Sequence, residues 1–157
     1  MKYLSVDYGA KKCGIAVSDD RGTIAVPLKI IPTEQLEGEL DYMLQNVLFE
    51  RMVFGESVNS KGIHNTVWEE TKAFVDKMKE KYEARIINGE LEFHFEKEFL
   101  TSKHARYLDN EKDIDDRAAA LILQRYLDKQ NAKHKFSDEE KRKQEEYEQG
   151  VADDEDM

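Results

Sequence analysis

Residues 2–7 (Lys-Tyr-Leu-Ser-Val-Asp) read as a strand, largely apolar, that stops at an acid. Gly9 through Lys12 make a turn, and residues 13–18 (Cys-Gly-Ile-Ala-Val-Ser) read as a second strand. Asp19-Asp20-Arg21-Gly22 is a strong turn signal, and residues 23–31 give a third strand. Pro27 has no N–H to donate to a ladder, so that strand is expected to bulge there or to lie at an edge. Three strands joined by short turns predict an antiparallel meander.

The period then changes from two to 3.6. Leu36, Leu40, Met43, Leu44, Val47 and Leu48 fall on one helical stripe, with Thr33 as the expected N-cap. Arg51–Phe54 reads as a short buried strand ending at Gly55. Val67, Trp68, Thr71, Phe74, Val75, Met78 and Tyr82 mark a second amphipathic helix, and its aromatic residues are expected in the core. Residues 85–96 alternate again, with Leu91, Phe93 and Phe95 on one face and Glu92, His94 and Glu96 on the other. Asn88-Gly89 predicts a hairpin turn inside that stretch. A short helix is expected after Leu100. A last helix carries Ala118, Ala119, Ile122, Leu123, Tyr126 and Leu127 on its buried side. The order βββαβαβαα predicts the α/β class: a mixed sheet, its three-strand antiparallel meander continued by parallel strands, with helices on both faces.

Charge divides the chain in two. Of a net −10 over 157 residues, −7 belongs to Ser137–Met157, where ten acids face three bases, which leaves −3 for residues 1–136. Apolar groups in that last segment are limited to Tyr147, Val151, Ala152 and Met157. Such burial cannot offset an ordering entropy of roughly 1–2 kcal/mol per residue. Residues 1–130 are therefore expected as the domain and 131–157 as a charged acidic tail, disordered or a frayed, solvated helix. A lone cysteine, Cys13, excludes a disulfide scaffold and reads as a small buried hydrophobe. No apolar run approaches the roughly 20 residues of a spanning helix, and Asp7 interrupts the stretch a signal peptide would need. A soluble cytoplasmic domain is the expectation. The four histidines share no metal-ligand spacing with one another or with Cys13, which argues against zinc.

Three acids stand where buried elements stop: Asp7 at the end of the first strand, Glu98 before Leu100-Thr101-Ser102, and Asp115 at the start of the last helix. Each has an ordinary structural reading as turn residue, solvated strand face or first-turn helix acid. Brought together they would repel, and a divalent cation would remove the repulsion. Hard carboxylate oxygens suit Mg²⁺ or Mn²⁺. Lys11, Lys12, Lys61, Lys97, Lys103, Arg106 and Arg117 fall in segments that would flank such a cleft, where they could contact phosphates or simply be solvated.

The run Val6-Asp7-Tyr8-Gly9-Ala10-Lys11-Lys12-Cys13-Gly14-Ile15-Ala16-Val17-Ser18-Asp19 resembles the opening of the YqgF family of RuvX-type proteins, and Gly22–Leu28 continues it. Val53-Phe54-Gly55, followed by Gly62, looks like that family's central strand and loop. Leu100-Thr101-Ser102-Lys103-His104-Ala105 resembles the segment after its Asp-Glu-Arg motif. Asp115-Asp116-Arg117-Ala118-Ala119-Ala120-Leu121-Ile122-Leu123-Gln124 is similar to its last helix. The likeness covers roughly residues 1–128. It implies an RNase H-like fold and a metal-dependent nuclease acting on structured RNA, the precursor of 16S rRNA, or on branched DNA. It also implies that Asp7, Glu98 and Asp115 bind Mg²⁺ or Mn²⁺; of the flanking bases, Lys11, Lys12, Lys103 and Arg117 are the candidates for contact with substrate. The family's Asp-Glu-Arg reads Lys97-Glu98-Phe99 here, and its Gly-Leu-Pro reads Gly55-Glu56-Ser57. Glu96, two residues back on the same strand face, is the alternative to Glu98. The alternative function is a non-catalytic module that binds nucleic acid or protein.

Overall fold

The computed structural model describes residues 2–59, 61–99 and 114–155. Its described strands form one sheet in the order β3-β2-β1-β4-β5. These are β1 (Lys2–Asp7), β2 (Lys12–Ser18), β3 (Ala25–Pro32), β4 (Phe49–Val58) and β5 (Glu92–Phe99). β1 pairs antiparallel with β2, and β2 with β3, as the meander requires. β4 then runs parallel to β1 and β5 parallel to β4, so the sheet is mixed. Pro27 satisfies both options open to it: β3 is an edge strand, and the register with β2 slips between Ile15 and Ala16, leaving Leu28 over as the extra residue.

Alternation sends each strand's side chains to two separate cores. Leu4, Val6, Cys13, Ile15, Met52 and Phe54 pack with α1 (Leu36–Asn46) and α2 (Val67–Lys81) on one face. Tyr3, Ala16 and Val53 pack on the other face with α4 (Ile114–Glu155), through Ala119, Ile122, Leu123, Tyr126 and Leu127. Ser5 Oγ donates to the Ala119 carbonyl at 2.6 Å and ties β1 to this last helix. The buried positions of α1 (Leu36, Leu40, Met43, Leu44) recur at the 3.6-residue period. Cys13 is fully buried, and among the described residues it is the free cysteine.

Three expectations are corrected. Thr33 does not cap α1. It opens a 3-10 turn, and its hydroxyl donates to the Gly9 carbonyl at 2.7 Å, fastening the β1–β2 turn instead. β4 does not stop at Gly55 but continues to Val58, because β5 supplies a partner for every residue from Arg51 to Val58. Asn88-Gly89 turns no hairpin. Residues before it form the short helix α3 (Glu83–Ile87), and Gly89, at φ +74°, is its left-handed terminator. The Gly89 N–H donates to Ile86 O and the Glu90 N–H to Arg85 O, the paired bonds of a Schellman ending.

The chain divides into two compact units, Met1–Leu127 and Asp128–Met157. In the second unit α4 continues helical as far as Glu155, and its described side chains are almost all exposed. Glu, Lys and Gln are good helix formers, and Gln144 donates to Glu148 one turn on at 3.0 Å. Among the described residues no helix is long and apolar enough to cross a membrane.

Candidate active site

β1, β4 and β5 run parallel, so their carboxyl ends meet at one edge of the sheet, where open α/β sheets place their ligands. Asp7 closes β1. Tyr3 and Ser5, on its side of the strand, face α4, so alternation directs Asp7 to that same face. The turn behind it is tight: a Cβ on Gly9 would lie 2.3 Å from the Lys12 carbonyl oxygen, so only glycine fits. Thr33 grips the Gly9 carbonyl, and the Cys13 thiol lies 3.4 Å from the Thr33 hydroxyl. Next to Asp7, Tyr8 turns to the opposite core and packs on Phe74, ring centres 5.5 Å apart. Burial pushes the Tyr8 phenol pKa up, and Cys13 and Glu70 add to that.

β5 carries three glutamates on the α4 face: Glu92, paired with Arg51, and then Glu96 and Glu98. Its His94 touches Tyr126 of α4, ring centres 5.3 Å apart, and Glu96 and Glu98 follow at alternate positions. Glu96 is 5 % exposed and Glu98 8 %. Buried glutamates are rare, because removing a carboxylate from water is costly without compensation. In register, Val6 pairs with Phe54, and Gly55 pairs with Glu96. Gly55 therefore separates the ends of β1 and β5, whose backbones run about 10 Å apart across the intervening strand. A Cβ there would sit 3.7 Å from Glu98 Oε2 and 2.6 Å from Ile122 Cδ1. The Glu98 carboxylate thus leans back over Gly55, toward the row in which Asp7 stands, while Ile122 closes the gap from above. Beside Glu98 a small pocket of about 10 Å³, room for about one water, is lined by Lys97, Leu121, Ile122 and Arg125.

Asp7, Glu96 and Glu98 share one face and one end of the sheet. Asp115 lies in the first turn of α4, and its side chain is outside the described ones. Among the described residues no three His, Cys, Asp or Glu side chains converge closely enough to hold a metal ion. The donor chemistry is nevertheless that of a hard divalent cation, since all the acids at this edge offer carboxylate oxygens. Of the expected phosphate contacts, Lys11 is exposed in the β1–β2 turn, Lys12 is half-buried at the start of β2, and Arg117 is exposed on α4. Lys103, Arg106 and the segment Leu100–Ala105 lie outside the described residues. Two residues escaped the sequence reading. Arg125 borders the pocket two helical turns beyond Arg117, a spacing that was available as a signal. Gly55 was read only as a strand end, whereas its missing side chain leaves the space that Glu98 and Ile122 occupy.

An antiparallel meander continued by two parallel strands, with helices on both faces, is an RNase H-like α/β fold, and its acids stand at the carboxyl edge of the sheet. The chain belongs to the RuvX family, whose profile, described as "Holliday junction resolvase", matches residues 1–129. It is 31 % identical over 133 residues to a protein of Desulforamulus reducens named "Putative pre-16S rRNA nuclease", covering 82 % of this chain and 97 % of that one. It is similar to proteins of the same name from Streptococcus mutans, at 30 % identity over 82 % of this chain and 99 % of the relative, and Bacillus subtilis, at 26 % over 83 % and 100 %. Among solved structures, Archaeoglobus fulgidus Pelota aligns with a TM-score of 0.41 at 10 % identity, over 77 % of this chain and 34 % of that one. That likeness is too slight to argue from.

Proposed function

We propose that the protein is a cytoplasmic nuclease that hydrolyses phosphodiester bonds of structured RNA, maturing the 5′ end of pre-16S rRNA with Mg²⁺ or Mn²⁺ as its cation. The observation that carries this reading is the pair of buried carboxylates on β5, one of which leans over Gly55 toward the row of Asp7. Family membership and the names of the relatives support it. Asp7, Glu98 and Asp115 would hold the cation, with Glu96 as the alternative to Glu98. When bound, the cation supplies a Lewis acid beside the scissile phosphate. Asp7 is kept in place by the Gly9 turn and its Thr33 bond, and Glu98 by the close lid of Ile122. Lys11, Lys12, Lys103 and Arg117, joined by Lys97 and Arg125 at the pocket, hold the phosphates to either side.

The test is cleavage of 5′-extended 16S precursor fragments and of four-way DNA junctions by the purified chain, with Mg²⁺ or Mn²⁺. Asp7→Asn, Glu96→Gln and Glu98→Gln are assayed alongside. RNA cut in a cation-dependent way and lost in Asp7→Asn is the expected result. Loss with Glu96→Gln but not with Glu98→Gln would transfer the ligand role to Glu96. Binding without cleavage under every condition would overturn the enzymatic reading and leave a nucleic-acid-binding module.

A further inference from the structure

On the opposite face of the same sheet edge, the loop between β4 and α2 builds a ladder of rings. His64 stacks on Trp68 with ring centres 4.7 Å apart and planes 12° from parallel. Trp68 meets Phe95 of β5 edge-on at 5.1 Å. Lys72 Nζ lies 5.7 Å from the Trp68 ring centre. The inner rung, Trp68, is 9 % exposed, whereas 39 % of the His64 side chain is accessible. Neighbouring Ile63 is 59 % exposed.

The outer ring is held firmly for a surface group. His64 Nε2 lies 2.6 Å from Glu56 Oε1, which fixes its rotation. The loop is pinned by Asn59, whose side-chain oxygen accepts the N–H groups of Lys61 and Ile63, both at 2.9 Å. His64 itself forms a β-bridge to Val58. What results is a flat, pre-ordered aromatic face with two lysines, Lys61 and Lys72, on the same loop and helix.

Its position ties it to the acids. Glu56, which anchors His64, follows Gly55, over which the Glu98 carboxylate leans, and Phe95 precedes Glu96. Alternation sends one set of side chains to the α4 face and the other to the α2 face of the same strand ends.

We propose that His64, backed by Trp68 and Phe95, is a stacking subsite for one unpaired nucleobase of the substrate strand. This rests on the nuclease reading and adds to it a requirement for single strand next to the scissile bond. Stacking suits the site because every base has an apolar face, while Lys61, and Lys72 if it leaves its 3.2 Å pairing with Glu69, meet the backbone charge.

The experiment measures binding of a short labelled single strand to the full chain, wild type, His64→Ala and His64→Phe. It is repeated with one abasic position stepped along the strand. Loss of the stacked base is expected to weaken binding about tenfold, within the range of base–aromatic stacking. His64→Ala should cost the same, His64→Phe should bind within about twofold of wild type, and His64→Ala should add nothing on the critical abasic strand. Trp68 is the sole tryptophan, so its emission should change with the intact strand and not with the abasic one. If His64→Ala and every abasic strand bind as tightly as their parents, or if His64→Phe is as weak as His64→Ala, the inference falls. Cleavage is scored separately: activity retained without stacking overturns only this subsite, whereas stacking without cleavage overturns only the nuclease reading.

Discussion

A methyl group added at Gly55 measures how closely α4 seals the candidate site. Its carbon would lie 2.6 Å from Ile122 Cδ1 and 3.4 Å from Ile122 Cγ1, where a real contact needs well over 3 Å. Ile122 is 1 % exposed within a closed cluster, so its end methyl has little room to withdraw. Overpacking of this kind costs about 1–3 kcal/mol, offset by the roughly 0.5–1 kcal/mol that alanine gains over glycine in chain entropy. Gly55→Ala should therefore destabilise by about 1–2 kcal/mol. Ile122→Val removes the clashing methyl and alone should cost about 1 kcal/mol. In the double variant the new methyl takes the vacated space, so the costs should not add. The double variant should be no less stable than Gly55→Ala alone, a coupling of about 1 kcal/mol or more. Urea unfolding checks the cycle, and in thermal melts about 2–4 °C of Tm is expected per kcal/mol. Glu98 Oε2 would be 3.7 Å from the same methyl, an ordinary contact, so cleavage should fall in Gly55→Ala only as far as Ile122 is displaced, and should recover in the double variant. Additive destabilisation would refute the reasoning, since Ile122 would then not be what the methyl meets.

Three further outcomes are expected. Asp7→Asn should raise the metal-free stability by about 1 kcal/mol while abolishing cleavage, because it removes one of the like charges at this edge. A clearly lower Tm would instead make Asp7 a structural hydrogen-bond acceptor. Burial, with the hydrogen bond to Asp41, pushes the Tyr82 pKa up to about 12, so the folded state holds that proton more tightly than the unfolded chain. The stability this gives is present below about pH 10 and lost as pH rises toward 12, and in Tyr82→Phe the alkaline limb of Tm against pH should flatten. Removing residues 137–157 deletes a net −7 and should tighten nucleic-acid binding at low salt. The gain should fade as the Debye length falls from about 30 Å at 0.01 M to about 10 Å at 0.1 M, and equal affinities at the lowest salt would deny the tail any electrostatic reach.

The local elements were legible wherever one residue pattern permits one conformation. The meander follows from three short apolar runs joined by short turns, and the buried stripes of α1, α2 and the start of α4 follow from their 3.6-residue period. Gly89 was not, because a left-handed glycine ends a helix as readily as it turns a hairpin. Only the carbonyls of Arg85 and Ile86, already helical, select the first. Thr33 likewise has a capping residue's chemistry, and its bond to Gly9, twenty-four residues away in sequence, exists only once the β1–β2 turn comes back over it. The length of β4 was decided by its neighbour, since strand residues persist where a ladder satisfies their backbone. For the site, the sequence determined the acids, their places at element ends and their hard-oxygen chemistry. Which acids face one another was decided by strand order and register. β4 lies between β1 and β5, and the glycine at position 55 lets Ile122 close down on the strand that separates Glu98 from Asp7. Contacts between strands distant in sequence leave no periodic trace in either one, so pattern alone could not have reached them.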